Sequence, residues 1–353
     1  MSHKTHGTLT IRDVANHANV AVTTVSRVLN NEPNVREETR ARVFKAVREL
    51  GYKPNISARS LASARSYCVG LFYDTPESSY FNMLLVGALV RCREEGYQLV
   101  VESFGDDFKG GESSILDRVK QLTLDGVILP EPLCNDPALI DALYECHIPY
   151  VRISPQSDAH HAPYVCVDDY AEAYKLTSYL ISLGHKQLGI VRGRQKDAPA
   201  ALRYEAFLQA LRDHDLDCPP EHQAYGDFSY SSGLAGAEKI LKQKQRPTAI
   251  FASNDDMAAA VIATANRLGL SVPEDLSVAG FDNSAIAMNV LPHLTTVNQN
   301  TRELGEVATE LLFKRIKGFE EGHESDELFT ILNTENIIRE STAPPKLFAG
   351  RWL

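Results

Sequence analysis

Twenty-one residues near the start, Thr10 to Asn30 (TIRDVANHANVAVTTVSRVLN), constrain the fold more tightly than any other stretch. Ile11, Val14, Ala15 and Ala18 fall at helical spacing on one face. Asn19 and Val20 make the break, and Val25, Val28 and Leu29 give a second helix its buried side. The pattern predicts a helix-turn-helix. The polar side of the second helix carries Val22, Thr23, Ser26 and Arg27, side chains compact enough to let a helix lie deep in a DNA major groove.

A third helix is expected over Val35 to Leu50, with Val43, Ala46, Val47 and Leu50 closing a three-helix core. Pro54 fixes its own φ and pushes Lys53 out of the helical region, and Asn55 can cap a helix of about two turns ending near Ser63. A helix that short does not stand alone in water. It must form against something else, a symmetry mate or DNA.

Charge separates this head from the rest. Residues 1–65 hold eleven Lys and Arg against five Asp and Glu, a net of +6. With −10 for the whole chain, the remainder carries −16. A basic head on an acidic body suits a protein whose head alone meets phosphates, with binding that weakens steeply as salt rises.

These motifs resemble the lactose-repressor (LacI/GalR) family of bacterial transcription regulators. The resemblance rests on DVA at Asp13 to Ala15, Val20, TVSRVLN at Thr24 to Asn30, TR at Thr39 and Arg40, LGYKPN at Leu50 to Asn55 and ARSL at Ala58 to Leu61. It implies that the second helix enters the major groove and that the short helix after Pro54 pairs with its twin in the minor groove. A leucine at the position of Leu61 would wedge between the central base pairs and kink the duplex. Val22, Thr23 and Arg27 are then the base readers. Thr24, Ser26, Asn30 and Asn34 take phosphate or orienting roles, Ala58 and Arg59 flank the wedge, and Thr10 and Asn55 are further DNA-binding residues. Two positions depart from the family: Ala21 and Arg36 stand where it favours a helix-capping Ser, each cap being worth ~1 kcal/mol.

From Tyr67 onward, short apolar runs alternate with helical periods. Strand-like runs occur at 68–73, 97–103, 126–130, 150–154, 188–193, 248–253 and 276–281, with helices of ten or more residues between them. Continuous apolar strands separated by helices mean parallel sheets covered on both faces. There are too many units for one sheet. The expected fold class is therefore α/β: a three-helix helix-turn-helix head with a hinge helix, then two doubly wound lobes, which the resemblance identifies as periplasmic-binding-protein-like. The boundaries expected are 1–52 for the head, 53–66 for the hinge and 67–345 for an effector-binding and dimerisation body, with a tail at 346–353. Within the body, one lobe takes about 67–166 plus 297–331 and the other 167–296 plus 332–345.

In open α/β sheets ligands sit beyond the carboxyl ends of the strands, here the cleft between lobes. At family positions, Tyr80 and Phe81 offer an aromatic platform and Phe228 a ring against the ligand. Arg203, Asn254 and Asp282 offer polar contacts, Arg as a forked donor and Asp as a two-oxygen acceptor. Asp168 in VDD is a further contact candidate, with capping of the helix that begins near Tyr170 as its alternative role. Where a purine repressor has an Asp-Trp pair this chain has Ser154 and Pro155, and Asp197 and Pro199 replace the polar and basic residues of the purine loop. That favours a repressor of carbohydrate-utilisation genes released from its operator by a mono- or disaccharide, with a sugar phosphate or a purine nucleoside as effector, or corepressor action, left open.

Other classes find little support. There is no GxGxxG after a strand, no GxSxG and no P-loop, so an enzyme is not expected. The six cysteines form no CxxC pair, and the His160, His161 and Asp158 loop lacks a fourth ligand; neither metal nor cofactor is expected. No run of about 18 apolar residues and no apolar leader point to a cytoplasmic protein without a membrane partner. A minor-groove helix that needs its twin implies a homodimer on a palindromic double-stranded operator. The tail STAPPKLFAGRWL carries no leucine heptad for a tetramer.

Overall fold

The computed structural model describes residues 9–29, 34–52, 65–73, 79–104, 111–156, 162–195, 197–321 and 329–346. They fall into two compact units, 1–67 and 68–353.

The first unit contains α1 (Ile11–Ala18), α2 (Val22–Leu29) and α3 (Glu37–Leu50). The Asp13 carboxylate accepts from both the backbone N–H and the Oγ1 of Thr10 at 2.7 Å, fixing the start of α1. Asn19 ends α1 in the left-handed conformation (φ 50°), and Gly51 does the same for α3 (φ 63°), the region that Asn and Gly tolerate best. Val14, Ala15, Val25, Val28, Val43 and Ala46 are buried together, and Ile11, Val20, Leu29 and Tyr52 pack around them. α3 starts two residues later than the pattern suggested, with Arg36 at the cap position making no side-chain capping bond.

The second unit holds two parallel sheets. The six-stranded sheet runs in the order β11-β5-β4-β3-β1-β2 and the four-stranded one β7-β6-β8-β9. The first is built from β1 (Cys68–Tyr73), β2 (Gln98–Ser103), β3 (Gly126–Leu129), β4 (Tyr150–Ile153), β5 (Tyr164–Val167) and β11 (Phe329–Leu332). The second is built from β6 (Leu188–Arg192), β7 (Gln223–Tyr225), β8 (Ala249–Ala252) and β9 (Ser277–Ala279). The continuous apolar runs have the expected cause. Along β1 and β3, Val69, Leu71 and Ile128 face one core with α4 (Ser79–Glu94) and α12 (Thr301–Glu321), while Phe72, Val127 and Leu129 face the other with α5 (Gly111–Leu122) and α6 (Pro137–Glu145). In the second sheet, Ile190 and Phe251 pack against α7 (Asp169–Ser182) and α8 (Ala198–Arg212). Val191 and Ile250 face α9 (Tyr230–Leu241) and α10 (Asp255–Arg267). Strands with neighbours on both faces carry no polar side.

α4 and α12 meet backbone to backbone. A Cβ on Gly87 would strike the Arg302 carbonyl, and one on Gly305 the Leu84 carbonyl. Only glycine permits that approach.

The chain crosses between sheets three times: after β5, again through α11 (Ile286–Asn289) and β10 (Thr296–Asn298) into α12, and finally from β11 into β12 (Glu335–Ile337). β10 and β12 pair antiparallel. Beyond them Ser341 is stitched to the second sheet: its N–H donates to His293 O, its carbonyl accepts from Val278 N at 2.8 Å and its Oγ donates to Val278 O at 2.6 Å. β5, β7, β10, β11 and β12 were not anticipated as strands.

Candidate functional site

The residues expected to read DNA lie on the exposed side of α2. Val22, Thr23 and Arg27 are exposed, Thr24 and Ser26 half-buried, and Thr10 and Asn34 exposed at the flanks. Val25 and Val28 anchor the opposite face with no exposure at all. The helix thus keeps its core contacts while its outward residues stay available to a groove. Asn30, Asn55, Ala58, Arg59 and Leu61 lie outside the described residues, as do His160 and His161.

In the second unit a cavity of about 240 Å³ opens at the carboxyl ends of the strands, where doubly wound sheets bind ligands. Its aromatic wall comes from the first lobe. Tyr73 ends β1, and Tyr80 and Phe81 stand in the first turn of α4, which starts at Ser79. The Tyr73 and Phe81 rings lie 4.6 Å apart. Burial, reinforced by the charges of Asp169 and Asp282, keeps the Tyr80 phenol protonated far above its usual range.

From the second lobe, Arg203 projects from α8 and is only 4% exposed. Its Nε donates to Asp169 Oδ1 at 2.8 Å and its Nη1 to Ser253 O at 2.6 Å, and its guanidinium lies 3.7 Å from the Phe281 ring centroid. The fork is therefore held rigid before any ligand arrives. Asp282 follows β9 with φ 121°, a conformation of real cost for a non-glycine residue and the kind of strain that concentrates at binding sites. Gln299 Nε2 donates to its Oδ1. Burial drives the Asp282 carboxyl well above the ordinary range; Arg203 opposes this, and Asp255 and Asp256 add to it.

Phe228, with φ 70°, lays its ring directly over Gly193, where any Cβ would collide with it. Asn254 lines the cavity, yet both ends of its amide are already occupied. Oδ1 accepts from Met257 N at 3.0 Å as the cap of α10, and Nδ2 donates to Phe228 O at 2.9 Å. Asn254 holds the Phe228 loop in place.

One expectation needs correcting. Asp168 is exposed, does not line the cavity, and caps α7 by accepting from Ala171 N at 2.9 Å. The next residue does the work: Asp169 is 3% exposed and pairs with Arg203. The two adjacent carboxylates point opposite ways because one belongs to the cap and the other to the first helical turn.

The structure adds Glu131, Ser154, Arg194, Asp197, Asp227, Tyr230, Asp256 and Gln299 to the lining. Burial and the nearby Asp197 lift Glu131 to about 8. No group of acidic, His or Cys side chains suited to a metal ion occurs among the described residues. None of the six cysteines is in a disulfide among the described residues.

A helical head with an exposed reading face, joined to a two-lobed body with a ligand cavity, defines a DNA-binding regulator that senses a small molecule. Comparison with known proteins agrees. Residues 10–55 match the model for bacterial regulatory proteins of the lacI family, and residues 177–342 match a periplasmic binding protein-like domain. The HTH-type transcriptional repressor PurR of Klebsiella pneumoniae subsp. pneumoniae is 34% identical over 323 residues, 90% of this chain and 94% of that protein. Its namesake from Pectobacterium carotovorum subsp. carotovorum is 36% identical over 311 residues, 87% and 90% of the two chains. Among solved structures, a transcriptional regulator CelR-cellobiose complex is 30% identical with TM-score 0.71, covering 94% of this chain and 99% of that one. The Lac repressor bound to ONPG in the repressed state is 26% identical with TM-score 0.75, covering 95% and 100%. The chain belongs to the LacI family. It is a DNA-binding transcriptional repressor and not an enzyme.

Proposed function

We propose that this repressor is a homodimer whose grip on a palindromic operator is set by a neutral polyhydroxylated effector, a mono- or disaccharide, held between the lobes. The observation that carries the reading is the cavity's polar lining. Glu131, Asp197, Asp227, Asp256 and Asp282 supply carboxyl oxygens, against Arg194 and Arg203 as the cations. Arg203 is already paired with Asp169, and Arg194 lies 3.9 Å from Asp197. Such a surface exchanges hydrogen bonds with many hydroxyls and sets five carboxyl groups against two arginines where a phosphate calls for cations, while Phe228, Tyr80 and Phe81 offer apolar faces to a sugar ring. The cavity is smaller than the ~300–1,000 Å³ of drug-sized pockets, which suits one or two sugar rings.

A purine is the second reading, favoured by the names of the PurR relatives. Against it, Asp197 and Pro199 both line the cavity at positions where the purine loop carries polar and basic groups. The regulator is proposed to act in the cytoplasm, with the segment containing Leu61 pairing with its twin on DNA and parting when the lobes respond.

The test is a thermal-shift screen against mono- and disaccharides, sugar phosphates and purines, since a ligand that binds only the folded state raises the melting temperature, followed by operator titration with each hit. A sugar that shifts both melting and operator affinity supports the reading. Hits confined to purines or phosphates overturn it.

A further inference from the structure

The helix that carries Arg203 is capped from the other lobe. Asp197 occupies the cap position of α8, but its side chain accepts no capping hydrogen bond. Pro199 has no N–H, so Ala198 offers one of the few free donors at this end. Its acceptor is Glu131, two residues past β3: Oε1 lies 3.3 Å from Ala198 N and 2.6 Å from Asn135 Nδ2. Oε2 is buried with no hydrogen-bond partner. Across the cavity a second bond spans the lobes, from Ser79 Oγ to Asp256 Oδ1 at 3.4 Å.

We propose that Glu131 is a latch between the lobes, its carboxyl group capping α8 from across the cavity and so holding the lobe that carries Arg203 against the lobe that carries Tyr80 and Phe81. A carboxyl oxygen at a helix N-terminus meets both an unsatisfied N–H and the positive end of the helix dipole. Opening the lobes would strip α8 of this cap and return Glu131 to water. The latch is therefore a positioning residue for the effector response, and a hydrogen-bond acceptor on a ligand would complete it at Oε2.

The latch also senses protons. The groups facing Glu131 are Asp197 from the start of α8, Arg152 from β4 and Cys134 from the turn after β3, with Arg194 beside Asp197. Burial and Asp197 outweigh the hydrogen bonds from Ala198 and Asn135 and the charge of Arg152, so the carboxyl is lifted to about 8 where it meets α8 and returns toward its ordinary value when the lobes part. The closed value is the higher, so the proton's contribution to closure is full below about pH 4.5, falls as pH rises from there and is gone above about 8, where a second carboxylate stands beside Asp197.

Hydrogen exchange in the first turn of α8, read in the full-length protein on fragments that begin before Arg194, tests this without any effector, so its failure is separate from failure of the effector reading. Glu131→Ala is expected to speed exchange on the order of tenfold. Glu131→Gln keeps the acceptor and stays close to wild type. After correction for intrinsic rates, the wild type loses protection progressively as pH rises from about 5 to about 8 and then levels off, and Glu131→Gln does not. The latch is refuted if Glu131→Ala leaves exchange unchanged, if Glu131→Gln behaves like Glu131→Ala, or if wild type and Glu131→Gln share one pH profile.

Discussion

Truncating Asp169 removes the buried partner that holds Arg203 in the cavity wall. The Asp169 and Arg203 side chains are 3% and 5% exposed and meet at 2.8 Å. Two unit charges about 4 Å apart attract by about 4 kcal/mol at the effective dielectric that suits protein sites, and that attraction offsets the desolvation of both. Removing one partner of such a pair costs about 3–5 kcal/mol, because the other charge stays buried and uncompensated. Here Arg203 keeps its bond to Ser253 O, its contact with Phe281 and the neighbouring charge of Asp282, so Asp169→Ala should fall near 3 kcal/mol. Asp169→Asn should lose less, since it keeps an acceptor at Oδ1. Urea unfolding followed by far-ultraviolet circular dichroism reads this as a lower midpoint at unchanged slope. The combined Asp169→Leu, Arg203→Met variant should be more stable than either single variant, because no charge is left stranded. A loss under ~1 kcal/mol for Asp169→Ala, the worth of an exposed pair, would refute the reasoning.

Stability should decline as pH rises from about 4 to 8. Burial holds Asp255 at about 7 and Asp282 well above its usual range; both folded values exceed the unfolded ones, so their contribution is full in mild acid and lost as pH rises. Asp282→Asn should flatten that profile in urea titrations at several pH values. The same variant should keep operator affinity in gel-shift assays while losing effector response; an intact response would show that Asp282 is not a contact. Gly193→Ala forces the Phe228 ring aside at an overpacking cost of about 1–3 kcal/mol, and its effector response should weaken while operator binding holds. Arg27→Ala should cost about 1–3 kcal/mol of operator affinity and relax discrimination at one base pair, read by binding to single-base operator variants; uniform weakening across variants would make Arg27 a phosphate contact.

The alternation of apolar runs and helical periods carried most of the body, because strands buried on both faces write themselves as unbroken Val, Ile, Leu and Phe. What escaped had no local signature. β7 and β11 bury one residue each and β5 two, so none of them writes the fully buried run that marks the equally short β3, β4, β8 and β9. Tyr80 and Phe81 belong to α4 because its first turn starts at Ser79, without a helix-capping pattern strong enough to read. Asp168 and Asp169 are neighbours of identical type, and only the three-dimensional position of Arg203 tells which is the partner. Glu131 reaches Ala198 across 67 positions of chain, a meeting that no spacing encodes. Arg203, Phe228 and Asp282 were legible through resemblance, and the structure brings all three to one cavity.

The three crossings between sheets govern what a growing chain can do. β11 completes the first sheet only with residues 329–332, and Ser341 closes the second. The head, a separate unit ending at Tyr67, has all its core residues by Tyr52. Domains fold as units from the N-terminus during synthesis, at ~5–20 residues per second, so the reading head is assembled many seconds before either lobe can be. A message cut short anywhere between those points yields a head with no working sensor behind it, so the order of synthesis makes regulation the last property this chain acquires.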